Sequence, residues 1–208
     1  MGKYKYYYFF ICALFILACT GNVNKKVSTN ADKFEKASNP KSIIDSLTSL
    51  SRKELDIENI SIDGDTLKFV TSARELYYPL GKFRKIDEVI GTYPMFKLNV
   101  GENTDSEDIS KVVFGHSYFK FYKDEETGYL EIVYAVMIDP NIKFTNNIEI
   151  GMSSNQFYQT FFKQPLKLNS IRIVKAESLV TGVIHYYYVK DGKLMQVEID
   201  SDYQIDKS

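Results

Sequence analysis

The chain has 208 residues, of which 26 are Lys or Arg and 27 are Asp or Glu, so its formal net charge is −1. A near-neutral chain without a basic face is not expected to bind nucleic acid, because phosphate contacts need concentrated positive charge. With 44% hydrophobic and 25% charged residues, the composition is that of an ordinary globular protein. The two cysteines, Cys12 and Cys19, both lie near the N-terminus, which excludes a disulfide-stabilised scaffold.

The N-terminus has the layout of a secretory signal peptide. Two lysines precede an apolar run over residues 6–18, which is shorter than the ~20 residues that a membrane-spanning helix needs. The run ends in Ala18 and Cys19, an ending that resembles the lipobox of bacterial lipoproteins. There the equivalent cysteine carries fatty acyl chains such as palmitate and becomes the mature N-terminus. The resemblance predicts a signal peptide over residues 1–18 and lipidation of Cys19; a plain signal peptide or an uncleaved anchor is the alternative.

The residues that follow Cys19 indicate in which membrane such a lipid anchor would lie. Thr20 follows Cys19, whereas in lipoproteins an aspartate at this position favours the inner membrane, so the resemblance implies the outer membrane. Lys25 and Lys26 stand where an acidic surface-export signal would lie, and we therefore expect the protein to face the periplasm. Residues 19–38 are polar with few apolar side chains, which predicts a flexible tether.

Two elements are predicted at the start of the globular part. Asn39 and Pro40 suit the capping and first positions of a helix, and apolar residues at helical spacing predict an amphipathic helix over about residues 40–51. After this helix, apolar residues alternate with polar ones on both sides of the turn Asp63-Gly64-Asp65. That alternation predicts a β-hairpin.

The strongest pattern in the chain is an internal repeat. A glycine, a helical stretch and a proline at 81–94 recur at 151–165, and each copy continues into strands that are joined by a Lys-Asp turn. Two copies in the same order predict an α+β fold of two related units, each a short helical segment on a small antiparallel sheet. The first unit, with the N-terminal helix, covers 39–140 and the second covers 141–208. The alternative is that two unrelated stretches share ordinary turn chemistry.

The helix of the second copy has the clearer local signals. Ser153 and Gln156 have the spacing of a capping box, and Phe157 and Phe161 share one helical face. The corresponding stretch of the first copy has no side chain that could accept the first amide hydrogen bonds. We therefore expect the first helix to be the shorter of the two.

A set of motifs in the second copy matches a known family. The motifs are Ile150-Gly151-Met152-Ser153, a helix followed by Pro165, and an aromatic hairpin at 185–199. Together they resemble the SmpA/OmlA family, small outer-membrane lipoproteins of the β-barrel assembly machinery. The resemblance implies a helical pair on a small antiparallel sheet, and tandem units of this kind form the β-lactamase inhibitor protein architecture. The chain lacks the family's glycine before Pro165 and its tryptophan in the hairpin.

No motif of a catalytic or metal site stands out. His116 and His185 lie next to aromatic strands, but two histidines without clustered ligands do not make a zinc site. Four acidic residues within 102–108 lack the spacing of a calcium loop, and a solvated loop explains them. We therefore expect no catalytic residue, no metal and no cofactor, and a protein that is not an enzyme. A hydrolase that uses paired carboxylates is the third possibility.

The aromatic strands suggest a binding surface. Tyr186, Tyr187 and Tyr188 are consecutive, so their side chains point to both faces of a strand. Tyrosine is favoured at binding surfaces, and Tyr118, Tyr186 and Tyr188 form the predicted surface; packing in a strand buried on both sides is the other explanation. The sequence thus predicts a lipid-anchored protein-binding or scaffold module at the periplasmic side of the outer membrane, with another envelope protein as its partner. The alternative is a lipoprotein that binds a glycan or small ligand on a tyrosine-rich sheet face.

Overall fold

The computed structural model describes residues 40–72, 80–99, 109–140, 142–144, 147–164 and 168–201. The predicted signal peptide, the tether and the acidic loop at 102–108 lie outside these residues. Within them there are three α-helices, α1 (Pro40–Leu50), α2 (Ile86–Thr92) and α3 (Ser154–Phe161). The nine strands of this part of the chain are β1 (Ile57–Asp63), β2 (Thr66–Thr71), β3 (Lys97–Leu98), β4 (Ile109–Phe114), β5 (Ser117–Lys123), β6 (Leu130–Met137), β7 (Ile173–Ser178), β8 (Ile184–Lys190) and β9 (Lys193–Asp200).

The strands form one sheet in the order β1-β2-β7-β8-β9-β6-β5-β4-β3. Neighbouring strands are antiparallel except β2 and β7, which run parallel. Two meanders make up most of the sheet: β4-β5-β6 follows α2 in the chain, and β7-β8-β9 follows α3. The last strands of the two meanders, β6 and β9, pair with each other. We call this β6–β9 pairing the seam.

The fold is mixed α and β, as predicted, but the two separate small sheets expected from the repeat are not found. The seam joins the strands into one sheet, and the burial of its side chains explains why the two meanders are not separate. Ala135 pairs with Ile199 and Met137 with Val197, and all four side chains are fully buried. Separate sheets would expose these side chains and leave the backbone edges of β6 and β9 unpaired.

The local signals of the sequence correspond to real elements. The helix predicted over residues 40–51 is α1, and the turn predicted at Gly64 joins β1 to β2. At the start of α3, the amide of Gln156 donates to the hydroxyl of Ser153, and the amide of Ser153 donates to the side chain of Gln156. The residue before α2, Lys85, makes no capping hydrogen bond with its side chain. As expected, α2 is shorter, with seven residues against eight in α3.

The helices pack on one face of the sheet. The ring of Phe161 on α3 lies 5.1 Å from the ring of Phe69 on β2 and 5.7 Å from that of Tyr187 on β8. At the other end, Phe96 follows α2 and its ring lies 5.4 Å from that of Phe119 on β5. Leu47 of α1 is fully buried in the same apolar cluster. The core is therefore continuous across both meanders.

One histidine lies within this core. His185 on β8 is 2% exposed, its Nδ1 lies 2.9 Å from the hydroxyl of Tyr187, and its Nε2 has no hydrogen-bond partner in the described part of the chain. Burial lowers the pKa of His185 to about 4, because an imidazolium would lose its hydration there. At neutral pH His185 is therefore uncharged in the folded protein.

We expect the stability of the protein to fall in acid through His185. The pKa is about 4 in the folded chain and ~6.5 in the unfolded chain, so the unfolded state takes up the proton first as the pH falls. The contribution of neutral His185 is complete above pH ~6.5 and is lost as the pH falls towards ~4. The unfolding free energy, measured by urea denaturation at pH ~7 and ~4.5, should fall by about 2 kcal/mol more in the wild type than in His185→Gln.

Equal pH dependence in the wild type and His185→Gln would show that His185 does not titrate with folding.

Candidate functional site

The face of the sheet opposite the helices is lined by half-buried tyrosines. The register places Tyr186 on β8 beside Glu198 on β9, Glu198 beside Val136 on β6, and Val136 beside Tyr118 on β5. Side chains two residues apart on a strand share a face. Among the described residues, no helix lies against this surface. We call it the open face and define it by Lys111, Tyr118, Tyr134, Val136, Lys175, Tyr186, Tyr188 and Glu198.

The three tyrosines predicted to form a binding surface lie on this one face. Tyr118, Tyr186 and Tyr188 are each half-buried. Tyr187 points to the other side, where its ring lies 5.0 Å from that of Phe157. Tyr187 therefore packs in the core, and the tyrosines on either side of it stand on the open face.

Glu198 is the centre of the open face. The hydroxyl of Tyr134 donates to its Oε1 at 2.9 Å, and the hydroxyl of Tyr188 donates to its Oε2 at 3.0 Å. Burial and the hydrogen bond to Glu198 raise the pKa of Tyr188 to about 12, and the same two causes raise the pKa of Tyr134. Both tyrosines stay protonated at physiological pH, so the two hydrogen bonds fix their rings in place.

Sequence reasoning missed Tyr134 and Glu198. The two residues are 64 positions apart, and they meet only because β6 pairs with β9. No local pattern signals that pairing. Glu198 lies in a strand of alternating polar and apolar residues, so by itself it is indistinguishable from any solvent-facing acid.

The aromatic centre is flanked by basic side chains. The Nζ of Lys111 lies 5.0 Å from the ring centroid of Tyr118, and the rings of Tyr118 and Tyr134 are 6.0 Å apart. On the other side of the centre, Lys175 forms an ion pair with Glu177, with a distance of 3.1 Å between Nζ and Oε2. This arrangement supplies pre-ordered aromatic contact area that is bordered by charged side chains.

The two histidines lie in different surroundings. His116 is exposed in the turn between β4 and β5, with its Nδ1 3.9 Å from Oδ1 of Asp139, whereas His185 is buried in the core. Asp139 is held in place there, since its Oδ2 accepts hydrogen bonds from the amide of His116 and the hydroxyl of Ser117. Among the described residues, no group of three or more His, Cys, Asp or Glu side chains is placed to hold a metal ion.

Cys19, the predicted lipidation site, lies outside the described residues. So does the acidic stretch at 102–108, for which the sequence predicts a solvated loop. None of the described helices has both the length and the apolar character required to cross a membrane. Comparisons of the chain with models of known protein families, with curated proteins and with solved structures give no match. The open face is therefore the feature from which a function is inferred.

Proposed function

We propose that the protein is a non-catalytic protein-binding module, held at the periplasmic side of the outer membrane by a lipid on Cys19. The observation that carries the proposal is the open face, where Tyr134 and Tyr188 are fixed by Glu198. Tyrosine side chains offer a large contact area and lose little rotamer freedom on binding. Because hydrogen bonds already hold these two tyrosine rings in the free protein, less rotamer freedom is lost on binding, which favours affinity.

The dimensions of the open face suit a protein partner. Six strands from β7 to β4 span about 24 Å at a spacing of ~4.8 Å, and strands of about seven residues are ~23 Å long. The resulting surface of about 550 Å² is of the same order as the ~800 Å² that each partner buries in a standard interface. A small molecule would cover only a fraction of it.

A glycan or small ligand is the alternative occupant. Such ligands bind in concave sites that enclose most of their surface, whereas the open face is one side of a sheet that none of the described helices covers. These features favour a protein partner over the alternative.

The proposal includes a duplicated origin for the two meanders, within a single sheet. Gly81 and Gly151 precede α2 and α3, and both adopt left-handed backbone conformations with φ of +99° and +92°. Asp124 follows β5 and Asp191 follows β8, so each begins the second turn of its meander. This shared order supports the resemblance to tandem units of the SmpA/OmlA type.

The anchor can be tested directly on Cys19. Mass spectrometry of protein from the native membrane should show a mature N-terminus at Cys19 that carries acyl chains. Cys19→Ala should abolish acylation and leave the chain unprocessed or soluble. Cys12→Ala is the matched control, because Cys12 lies inside the predicted signal peptide. An unmodified mature terminus at another residue would disprove the lipid anchor.

The open face can be tested by crosslinking in the native envelope. A photoreactive residue in place of Tyr186 should give one discrete adduct, in which mass spectrometry identifies peptides of a second protein. Tyr118→Ala should reduce its yield about tenfold, as loss of an interface side chain worth more than ~1 kcal/mol does. Tyr129→Ala is the matched control, since Tyr129 is a half-buried tyrosine outside the open face that contacts Arg84.

Two outcomes would contradict the proposed partner. One is an adduct that contains no peptide of a second protein and is removed by glycan-degrading enzymes, which would point to the alternative occupant. The other is an equal loss of the adduct in Tyr118→Ala and Tyr129→Ala. Circular dichroism of each variant shows whether the fold is retained.

A further inference from the structure

The turn between β7 and β8 exposes two neighbouring aliphatic side chains. Leu179 is 55% exposed and Val180 is 67% exposed. Three other large hydrophobic side chains of the described residues are exposed, at positions 98, 138 and 195, but each stands alone in the sequence and is less exposed. Single exposed apolar residues are ordinary, whereas adjacent ones indicate a contact. We call residues 178–183, which carry the pair, the tip.

The tip carries no charge. Residues 178–184 contain no Asp, Glu, Lys, Arg or His. The preceding residue, Glu177, is paired with Lys175, with 3.1 Å between Oε2 and Nζ. A charged side chain in the turn would hold it in water, because an ion loses its hydration in an apolar phase. The tip has no side chain of that kind.

The backbone donors of the tip are satisfied within the protein. The five consecutive amides of residues 179–183 all donate hydrogen bonds to protein oxygens. The acceptors are the hydroxyls of Ser178 and Thr181 and the carbonyls of Thr71 and Ser178. Ser178 is only 2% exposed, and its hydroxyl alone accepts two of the five bonds, at 3.2 and 3.3 Å. These amides therefore do not depend on water as an acceptor.

We propose that the tip inserts into the surface of a lipid bilayer, with Leu179 and Val180 among the upper parts of the acyl chains. Backbone enters an apolar phase only when its polar groups are satisfied without water, and the amides of the tip meet that condition. The carbonyls of the turn accept from water and headgroups, so the insertion is shallow. Asp56 is exposed beside the base of the tip, where Ser72 donates to its carboxylate, and it stays at the level of the headgroups.

A protein partner suits the tip less well than a bilayer does. Each partner in a standard protein interface buries about 800 Å², whereas the tip offers two aliphatic side chains at the end of a hairpin. Protein interfaces also form about one hydrogen bond per 100–200 Å². The amides of residues 179–183 are already engaged within the chain and have no donor to offer.

The contact is separate from the predicted lipid on Cys19 and from the open face. A protein that meets the bilayer at a second point has a fixed orientation on it. Since β7 ends and β8 begins at the tip, both strands then point towards the bilayer. The open face lies along these strands and remains accessible to a partner from the side.

The test uses the full chain purified from its native membrane and reconstituted in phosphatidylcholine vesicles. The chain contains no tryptophan, so Leu179→Trp introduces a single indole at the tip. Its fluorescence should be quenched by lipids that are brominated in their acyl chains and protected from iodide in the water. Met195→Trp is the matched control, because Met195 is 46% exposed on β9, near the end of the hairpin opposite the tip. Its fluorescence should show the reverse pattern.

A second substitution tests the role of the uncharged tip. Adding Val180→Asp to Leu179→Trp should abolish quenching by the brominated lipids, because the carboxylate holds the turn in water. Adding Val180→Ala instead should leave most of the quenching in place. The quenching by lipid should not change with salt concentration, since the tip has no charge for salt to screen. Circular dichroism shows that each variant keeps its fold.

Three results would overturn the proposal. The first is a chain that floats with the vesicles while Leu179→Trp stays open to iodide, which leaves the lipid on Cys19 intact. The second is equal quenching by brominated lipid in Leu179→Trp and Met195→Trp. The third is protection of Leu179→Trp from iodide in native envelopes but not in vesicles, which would identify a protein as the occupant.

Discussion

The pairing of β6 with β9 is the interaction on which the rest of the structure depends. Residues 134–137 pair with residues 197–200, and the buried hydroxyl of Ser201 donates to the carbonyl of Val133 beyond the last pair. Each meander ends at this seam, so without it both last strands would present unpaired edges. The seam makes the helix-covered core and the open face continuous from one meander to the other.

The seam also ties the candidate site to the fold. Alternation along β6 and β9 places Ala135 and Ile199 in the core and Tyr134 and Glu198 on the open face. A shift of the register by one residue would exchange the two sets. The fully buried side chains therefore fix the position of the polar ones. The hydrogen bond from Tyr134 to Glu198 joins β6 to β9 on the open face, opposite the buried pairs. The same strand register therefore determines both the packing of the core and the residues of the proposed binding surface.

Local features of the structure could be predicted from the sequence, because a few neighbouring residues determine them. The capping box at Ser153 and Gln156, the turn at Gly64 and the short uncapped α2 depend on hydrogen bonds within a few positions. The three tyrosines of the predicted surface could be selected because aromatic residues with period-two alternation must divide between two faces. Which face each one occupies is set by packing against α3, as the contact of Tyr187 with Phe157 shows.

The remaining features depend on contacts that are distant in sequence. A single sheet instead of two follows from the β6–β9 pairing and from the parallel pairing of β2 with β7, and the repeat pattern contains no sign of either. The partnership of Glu198 with Tyr134 has the same origin.

The most direct test of this account is native-state hydrogen exchange at the seam. If the two meanders form one sheet, the hydrogen-bonded amides within 134–137 and 197–200 exchange only through global unfolding. Their free energies of exchange should then equal those of the protected amides of β5 and β8. Seam amides that exchange at a clearly lower free energy, with each meander opening on its own, would contradict the single sheet and the continuous open face that it creates.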